Sequence, residues 1–167
     1  ASEAKNRVLF LAPTNTYLAY GNEKQFQVIW TDPEFIEKST DVEVEVKPLD
    51  RFLLSHPELG ASIYDLHPDG SGICHSSRLR PVLTMRPQFL HWLHNQARHF
   101  SADLYLIEWL DQQQIAYDVA TDEDLHLHGE DLLADYPVVI TGSHPEYWTL
   151  PMLRGLETYL GGSGKLV

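Results

Sequence analysis

The chain has 167 residues, of which 43% are hydrophobic and 22% charged, with a formal net charge of −12 and a pI near 5.0. These values are typical of a single folded globular domain, and the negative charge excludes a protein that binds nucleic acid or anionic membranes through electrostatic attraction. A single cysteine, Cys74, excludes an intrachain disulfide framework and, with no apolar run long enough to span a membrane, predicts a cytoplasmic protein.

The first half of the chain has one firm element, an apolar strand at residues 7–12 (RVLFLA). After it, only scattered strand signals occur, at 26–30 (FQVIW) and 42–46 (VEVEV). A stretch of this length between core elements is usually functional. We therefore expect residues 13–100 to form a long insertion that carries site residues.

The second half alternates helices and strands. The pattern predicts helices at 102–113, 121–135 and 149–161, and strands at 115–121, 137–141 and 165–167. Ser101, Thr149 and the pair Thr121 and Asp124 are the expected caps. This order indicates an α/β fold with a parallel sheet and helices on both faces, of the flavodoxin-like or class I glutamine amidotransferase-like kind. Because the first strand begins almost at once and another begins at the end, we expect residues 1–167 to be one partial domain of a longer chain.

Two polar loops follow predicted strands. PTNTYLAYGN (13–22) follows the first strand, and GSHPEYW (142–148) follows the strand at 137–141. Ligands of open parallel sheets bind beyond the carboxyl ends of the strands. Both loops are therefore candidates for a functional site at one edge of the sheet.

Asp65, His67 and Asp69 resemble the start of a calcium-binding loop. Ser76 stands where such a loop needs a bidentate glutamate, so calcium binding of this kind is excluded. A turn at residues 69–72 (DGSG) is the expected structure.

The histidine pairs do not form a firm metal signature. His126 and His128 are two residues apart and do not share a helix face, so we expect them to face solvent. His91, His94 and His99 lie in a predicted helix at 89–100 (FLHWLHNQARHF), where the pair three residues apart could share a metal, but spacing places no third ligand.

A cysteine nucleophile is a second possibility. His144-Pro145-Glu146 looks like the His-Pro-Glu run that serves the cysteine of class I glutamine amidotransferases, and Cys74 is the only cysteine available. A nucleophile elbow needs an apolar strand before it and a helix after it, and the residues around Cys74 predict neither. We expect Cys74 to pack as a small hydrophobic residue.

A metal site with oxygen ligands is the remaining hypothesis. Tyr17 and Tyr20 lie on the loop after the first strand, Tyr64 lies in the insertion, and Glu146 lies on the loop after a later strand. A phenolate is a hard anionic ligand that suits a ferric ion. Tyrosines more often serve as packing residues, and residue types alone do not decide between the two roles.

Three segments together resemble one family. PTNTYLAYGN, then SIYDLHPDGSGICHSSRLRP with TMRP, then TGSHPEYWT occur in this order and cover nearly the whole chain. In this combination the chain resembles the large subunit of N,N-dimethylformamidase and its relatives.

The resemblance implies an amidohydrolase that cleaves small neutral N-substituted formamides to formate and an amine. It further implies a mononuclear non-haem iron, Fe(III), held by Tyr20, Tyr64 and Glu146, with Tyr17 as the alternative to Tyr20. His144 would be the catalytic group that moves a proton or orients the substrate. The resemblance also implies a small partner subunit and homo-oligomerisation.

Two alternatives stay open at this point. The chain could keep the glutaminase-like fold as a binding or assembly domain without a metal. Less favoured is an amidotransferase that depends on Cys74. Replacement of Cys74 with alanine separates the thiol mechanism from the iron mechanism, and loss of metal in Tyr64→Phe separates the iron mechanism from the binding domain.

Overall fold

The computed structural model describes residues 6–24, 45–93 and 95–167. The chain divides into two compact units: Ala1–Thr16 with Ala102–Val167, here the sheet unit, and Tyr17–Ser101, here the loop unit. The predicted insertion at 13–100 covers nearly the same residues as the loop unit, and the assignment of one partial domain stays a prediction. The strand signal at 26–30 and most of that at 42–46 lie outside the described residues.

The described part of the sheet unit contains a four-stranded parallel sheet. Its strands are β1 (Val8–Ala12), β2 (Tyr117–Thr121), β3 (Val138–Thr141) and β4 (Lys165–Leu166), in the order β2-β1-β3-β4. The predicted α/β class with a parallel sheet is confirmed. Ala12 pairs with Thr121 and Leu11 with Thr141, so the chain leaves β1, β2 and β3 at the same edge of the sheet.

Six α-helices are described: α1 (Thr14–Ala19), α2 (Pro48–Ser55), α3 (Phe100–Gln112), α4 (Asp122–His128), α5 (Glu130–Leu133) and α6 (Leu150–Gly161). The single helix predicted at 121–135 is two helices, because Gly129 has a φ of 52° and interrupts it. The caps at Thr121 and Thr149 are confirmed, whereas Ser101 lies inside α3 and does not cap it. None of the described helices has the length and apolarity needed to cross a lipid bilayer.

The core of the sheet unit lies where β1, β2 and β3 pack against α4, α5 and α6. Its buried residues are Leu9, Leu11, Ala120, Leu125, Leu133, Val139, Met152, Leu156 and Tyr159. On α6, Leu156 is buried, but Leu153 and Leu160 are 44% and 47% exposed. Met152 and Tyr159 take the buried positions instead. Burial of this apolar surface is the main term that stabilises the unit.

The loop unit has little regular structure in its described part. It contains α2 and a 3-10 turn at Pro57–Leu59. The helix predicted at 89–100 is wrong, since helical structure begins only at Phe100. Asn95 and His99 have φ angles of 46° and 54°, which are incompatible with a right-handed helix. His94, one of the three histidines considered there, lies outside the described residues.

Side-chain hydrogen bonds to the backbone connect the segments of the loop unit. Asp65 is buried and accepts the backbone N–H groups of Lys24, at 2.7 Å, and Ser62, at 2.8 Å. Arg80 donates to the carbonyl oxygen of Gly21 at 2.9 Å. These contacts supply the backbone partners that helices and strands would otherwise provide.

Candidate functional site

The loop GSHPEYW leaves β3 at the edge of the sheet where ligands of parallel sheets bind. It begins with Gly142, and a Cβ at this position would overlap Oδ2 of Asp103 and lie 2.7 Å from Cδ of Pro13. Only glycine allows this close approach. The loop therefore packs closely against the first turn of α3 and the end of β1.

Three side chains of the sheet unit hold the backbone of this loop. Ser143 donates its N–H to Oδ1 of Asp103 at 2.6 Å, and Glu146 donates its N–H to Oγ1 of Thr16 at 3.1 Å. Asn15 donates from Nδ2 to the carbonyl oxygen of Tyr147 at 3.0 Å. The loop is thus an ordered segment with fixed backbone partners, not a solvated turn.

His144 and Glu146 form the accessible polar group on the loop. Nε2 of His144 lies 3.3 Å from Oε2 of Glu146, and the two side chains are 44% and 36% exposed. The contact joins an imidazole, which can take up or release a proton, to a carboxylate that can orient the ring. The pair can therefore exchange protons with a small molecule at the sheet edge.

Asp122 is a buried carboxyl group that follows β2 at the same edge. It is 3% exposed and accepts the N–H of Asn15 at 2.8 Å. Burial raises the pKa of Asp122 from 3.8 to about 6, although the hydrogen bond from Asn15 opposes the shift. Asn15 in turn bonds the GSHPEYW loop, so Asp122 supports the loop indirectly.

We expect Asp122→Asn to remove a pH dependence from the free energy of unfolding. Because the folded pKa is above the unfolded value, the stabilising contribution of the protonated carboxyl is fully present below pH 3.8 and is lost as pH rises through about 6. Relative to the Asn variant, the wild type should lose about 3 kcal/mol over this interval. Urea unfolding at several pH values measures this difference in the free energy of unfolding. The control is Asp131→Asn, which makes the same change at an exposed residue. An effect of Asp122→Asn that is equal at pH 4 and pH 7 would contradict the assignment.

The predicted tyrosines lie together in the loop unit. The rings of Tyr20 and Tyr64 stack with centroids 4.2 Å apart and an interplanar angle of 16°. The ring of His99 also lies 4.2 Å from that of Tyr20, and the Arg98 guanidinium lies 4.7 Å from the centre of the Tyr20 ring. Tyr17 instead meets Phe100 edge to face at 5.8 Å. The structure therefore groups Tyr64 with Tyr20 rather than with Tyr17.

A buried polar pair lies in the same unit. His91 accepts the N–H of Leu93 at Nδ1, at 3.2 Å, so Nε2 carries the ring proton and donates to Oε2 of Glu23 at 3.3 Å. His91 and Glu23 are both buried, and a guanidinium nitrogen of Arg98 lies 3.4 Å from Nε2 of His91. His91 is therefore a hydrogen-bonded core histidine.

The other candidates from the sequence have ordinary structural roles. Asp69 accepts the N–H and hydroxyl of Ser71 at 3.0 and 2.7 Å, which confirms the turn at 69–72. His126 and His128 are exposed on α4, as expected. The packing predicted for Cys74 is wrong: the thiol is exposed. In the described part of the chain no strand or helix lies between Leu59 and Phe100, so Cys74 has no elbow.

The predicted metal ligands differ in the unit to which they belong. Tyr20 and Tyr64 are in the loop unit, and His144 and Glu146 are in the sheet unit. Among the described residues, no three His, Cys, Asp or Glu side chains are arranged to hold a metal. A ligand set of two phenols and one carboxylate is a different chemical class, and its three hard oxygen donors suit a ferric ion. The assignment of these residues stays a prediction.

The sequence patterns do not single out Asp103, Thr16, Asn15 or Asp122 individually. Asp103 lies in α3, Asn15 and Thr16 lie in α1 within the segment PTNTYLAYGN, and Asp122 begins α4. Three of them share a position in the fold: Thr16, Asn15 and Asp122 each follow a parallel strand, at the edge of the sheet where the GSHPEYW loop emerges. Strand-end placement alone could have identified these three, but not Asp103.

Comparison with known proteins supplies the family. A sequence model of the family described as "N,N-dimethylformamidase beta subunit-like, C-terminal" matches residues 1–167. The N,N-dimethylformamidase beta subunit of Paracoccus aminophilus is 38% identical over an alignment of 169 residues, gaps included, which covers 98% of this chain and 21% of that protein. The same subunit of Alcaligenes sp is 37% identical over an alignment of 164 residues, which covers 95% of this chain and 20% of that protein.

The chain therefore spans about a fifth of the length of these relatives. The match agrees with the resemblance carried by the three motifs. The chain belongs to the N,N-dimethylformamidase beta subunit-like, C-terminal family.

Proposed function

We propose that the full-length protein hydrolyses small neutral N-substituted formamides, such as N,N-dimethylformamide, to formate and an amine. The observation that carries the proposal is the His144–Glu146 pair, separated by 3.3 Å on an ordered loop at the ligand-binding edge of the sheet. Two relatives whose names give this activity align with almost the entire chain.

His144 is the proton-transfer group of this proposal. In hydrolysis, the oxygen of water bonds to the formyl carbon, the carbon–nitrogen bond breaks, and its electron pair stays on nitrogen. A ring nitrogen of His144 accepts the proton that water loses, and the ring then supplies a proton to the departing amine. Glu146, 3.3 Å from Nε2, orients the ring. The partial exposure of both side chains gives a small substrate access to them.

We further propose that Tyr20, Tyr64 and Glu146 hold a mononuclear non-haem iron, Fe(III). The support is the family resemblance, the chemistry of the three oxygen donors and the stacking of the two phenol rings in the loop unit. When bound, the ion would supply Lewis acidity that polarises the formyl oxygen. Three anionic ligands would nearly neutralise a ferric charge, which favours a neutral amide over an anionic substrate.

The proposal extends to partners and location. The relatives are named as beta subunits, which supports assembly with a second, smaller subunit. We also propose homo-oligomerisation of the full-length protein, from the family resemblance, and a cytoplasmic location, from the single cysteine. The net charge of −12 argues against nucleic acid as a partner.

The test is formate release from N,N-dimethylformamide by the full-length protein with its partner subunit. The proposal predicts activity in the wild type and in Cys74→Ala, because the exposed thiol has no role, and loss of activity in Tyr64→Phe. Activity that disappears only in Cys74→Ala would support the thiol mechanism instead. A wild type that neither hydrolyses formamides nor contains iron would support the binding or assembly domain.

A further inference from the structure

The tripeptide His144-Pro145-Glu146 is held at both ends by buried side chains. Asp103 is 4% exposed and accepts the N–H of Ser143, directly before the tripeptide, at 2.6 Å. Thr16 is fully buried and accepts the N–H of Glu146, its last residue, at 3.1 Å. Both contacts are between the loop and side chains on neighbouring elements of the sheet unit.

The tripeptide itself has little conformational freedom. Proline fixes its own φ, and the residue before a proline is restricted to extended conformations. The hydrogen bonds at Ser143 and Glu146 restrict the remaining backbone angles further. The directions in which His144 and Glu146 project therefore depend on the two anchors.

Each anchor has a property that packing alone does not require. Burying the Asp103 carboxylate carries a desolvation cost that a neutral residue would avoid, and the first turn of α3 is where a helix stabilises a negative charge. Asp103 also lies so close to Gly142 that the loop tolerates no side chain there. Thr16 has the shape of valine but supplies the oxygen that the N–H of Glu146 needs.

We propose that Asp103 and Thr16 are positioning residues that hold His144 and Glu146 in the geometry required for amide hydrolysis. The inference rests on the proposed function for its catalytic consequence. Its structural part, that the two anchors determine the order of the loop, does not. Misplacement of catalytic groups by about 1 Å can cost about 100-fold in rate, so loss of an anchor should act on turnover.

The experiment compares Thr16→Val with Thr16→Ser in the full-length protein. Valine keeps the shape and removes the acceptor, and serine keeps the acceptor. We expect Thr16→Val to lower kcat for N,N-dimethylformamide by roughly 10- to 100-fold with little change in KM, and Thr16→Ser to restore most of it. Hydrogen exchange of a peptide covering 142–149 should be roughly five- to tenfold faster in Thr16→Val and near wild type in Thr16→Ser.

The control is Asp118→Asn at the opposite end of β2. Asp118 accepts hydrogen bonds from Asn6 and from the hydroxyl of Tyr136, so its replacement perturbs the same unit without touching the loop. Loop exchange and kcat should stay at the wild-type level. If Thr16→Val does not fold, Asp103→Ala against Asp103→Asn gives the same comparison at the other anchor, because asparagine keeps an acceptor oxygen.

The outcomes separate the two proposals. If the wild type has no formamidase activity, the proposed function fails, and the exchange data still decide whether the anchors order the loop. If the wild type is active and Thr16→Val keeps both its kcat and its exchange protection, the positioning role is overturned. If kcat and exchange protection fall equally in Thr16→Val and Thr16→Ser, the effect comes from packing, and the positioning role is overturned as well.

Discussion

Glu146→Gln is expected to reduce formate release from N,N-dimethylformamide by on the order of 10³-fold. Glutamine matches the shape of glutamate but removes the negative charge. The side chain then no longer presents a charged oxygen to Nε2 of His144, 3.3 Å away, and it becomes a much weaker ligand for a trivalent cation. Activity and bound iron should therefore fall together, as measured by formate assay and metal analysis.

The matched control is Glu157→Gln, which makes the same chemical change on the exposed face of α6. It should leave both activity and iron content at the wild-type level. If Glu146→Gln kept its iron but lost activity, Glu146 would be an orienting partner of His144 rather than a metal ligand. If it kept both, the assignment of the GSHPEYW loop as the catalytic site would be wrong.

Asn22→Ala is expected to lower the free energy of unfolding of the loop unit by about 3–5 kcal/mol. Asn22 is fully buried. Its Nδ2 donates to the carbonyl oxygens of Leu59 and Pro81, at 3.2 and 2.8 Å, and its Oδ1 accepts the N–H of Leu83 at 2.8 Å. Alanine removes all three contacts at once. Urea unfolding of the wild type and the variant measures the difference.

Two further variants distinguish loss of hydrogen bonds from backbone strain as the cause of the destabilisation in Asn22→Ala. Asn22 has a φ of 59°, so part of the loss could come from backbone strain. Asn95→Ala tests this, because Asn95 is exposed in the same unit with a φ of 46°, and it should cost about 1 kcal/mol. Asn22→Asp keeps the acceptor but turns an oxygen toward two carbonyl groups, and it should destabilise as much as alanine. An Asn22→Ala cost no larger than that of Asn95→Ala would contradict the hydrogen-bonding account.

Periodic apolar sequence identified the sheet unit. The runs that became β1 and β3 are uninterrupted apolar segments, as expected of strands in a parallel sheet covered by helices, and capping residues marked the starts of α4 and α6. The errors have local causes. Gly129 divides one predicted helix because a single backbone angle in the left-handed region interrupts it, and periodicity does not report backbone angles.

The loop unit could not be derived in this way. Its order depends on single buried polar side chains, such as Asn22 and Asp65, that bond to backbone groups of segments distant in sequence. No period or motif marks such residues. The apolar run around Trp92 suggested a helix, but the positive φ of Asn95 and His99 and the hydrogen bonds of His91 give an irregular segment instead.

The candidate site, too, could be predicted from the sequence only in part. Strand-end placement and the motif indicated the GSHPEYW loop, and the structure places His144 beside Glu146 there. The proximity of Tyr20 to Tyr64 was implied by the resemblance, since spacing along the chain does not bring them together. Asp103 could not be predicted, because its role depends on a contact between a helix terminus and a loop that is distant in sequence.

The iron-dependent hydrolase is best tested by metal analysis of the aerobically purified full-length protein, together with its visible absorption spectrum and formamidase activity. We expect near-stoichiometric iron, a tyrosinate-to-iron charge-transfer band, and loss of band, iron and activity in Tyr64→Phe, but not in Cys74→Ala. A protein that hydrolyses formamides at full rate without iron would contradict the metal assignment. A protein with neither iron nor activity would contradict the proposed hydrolase function itself.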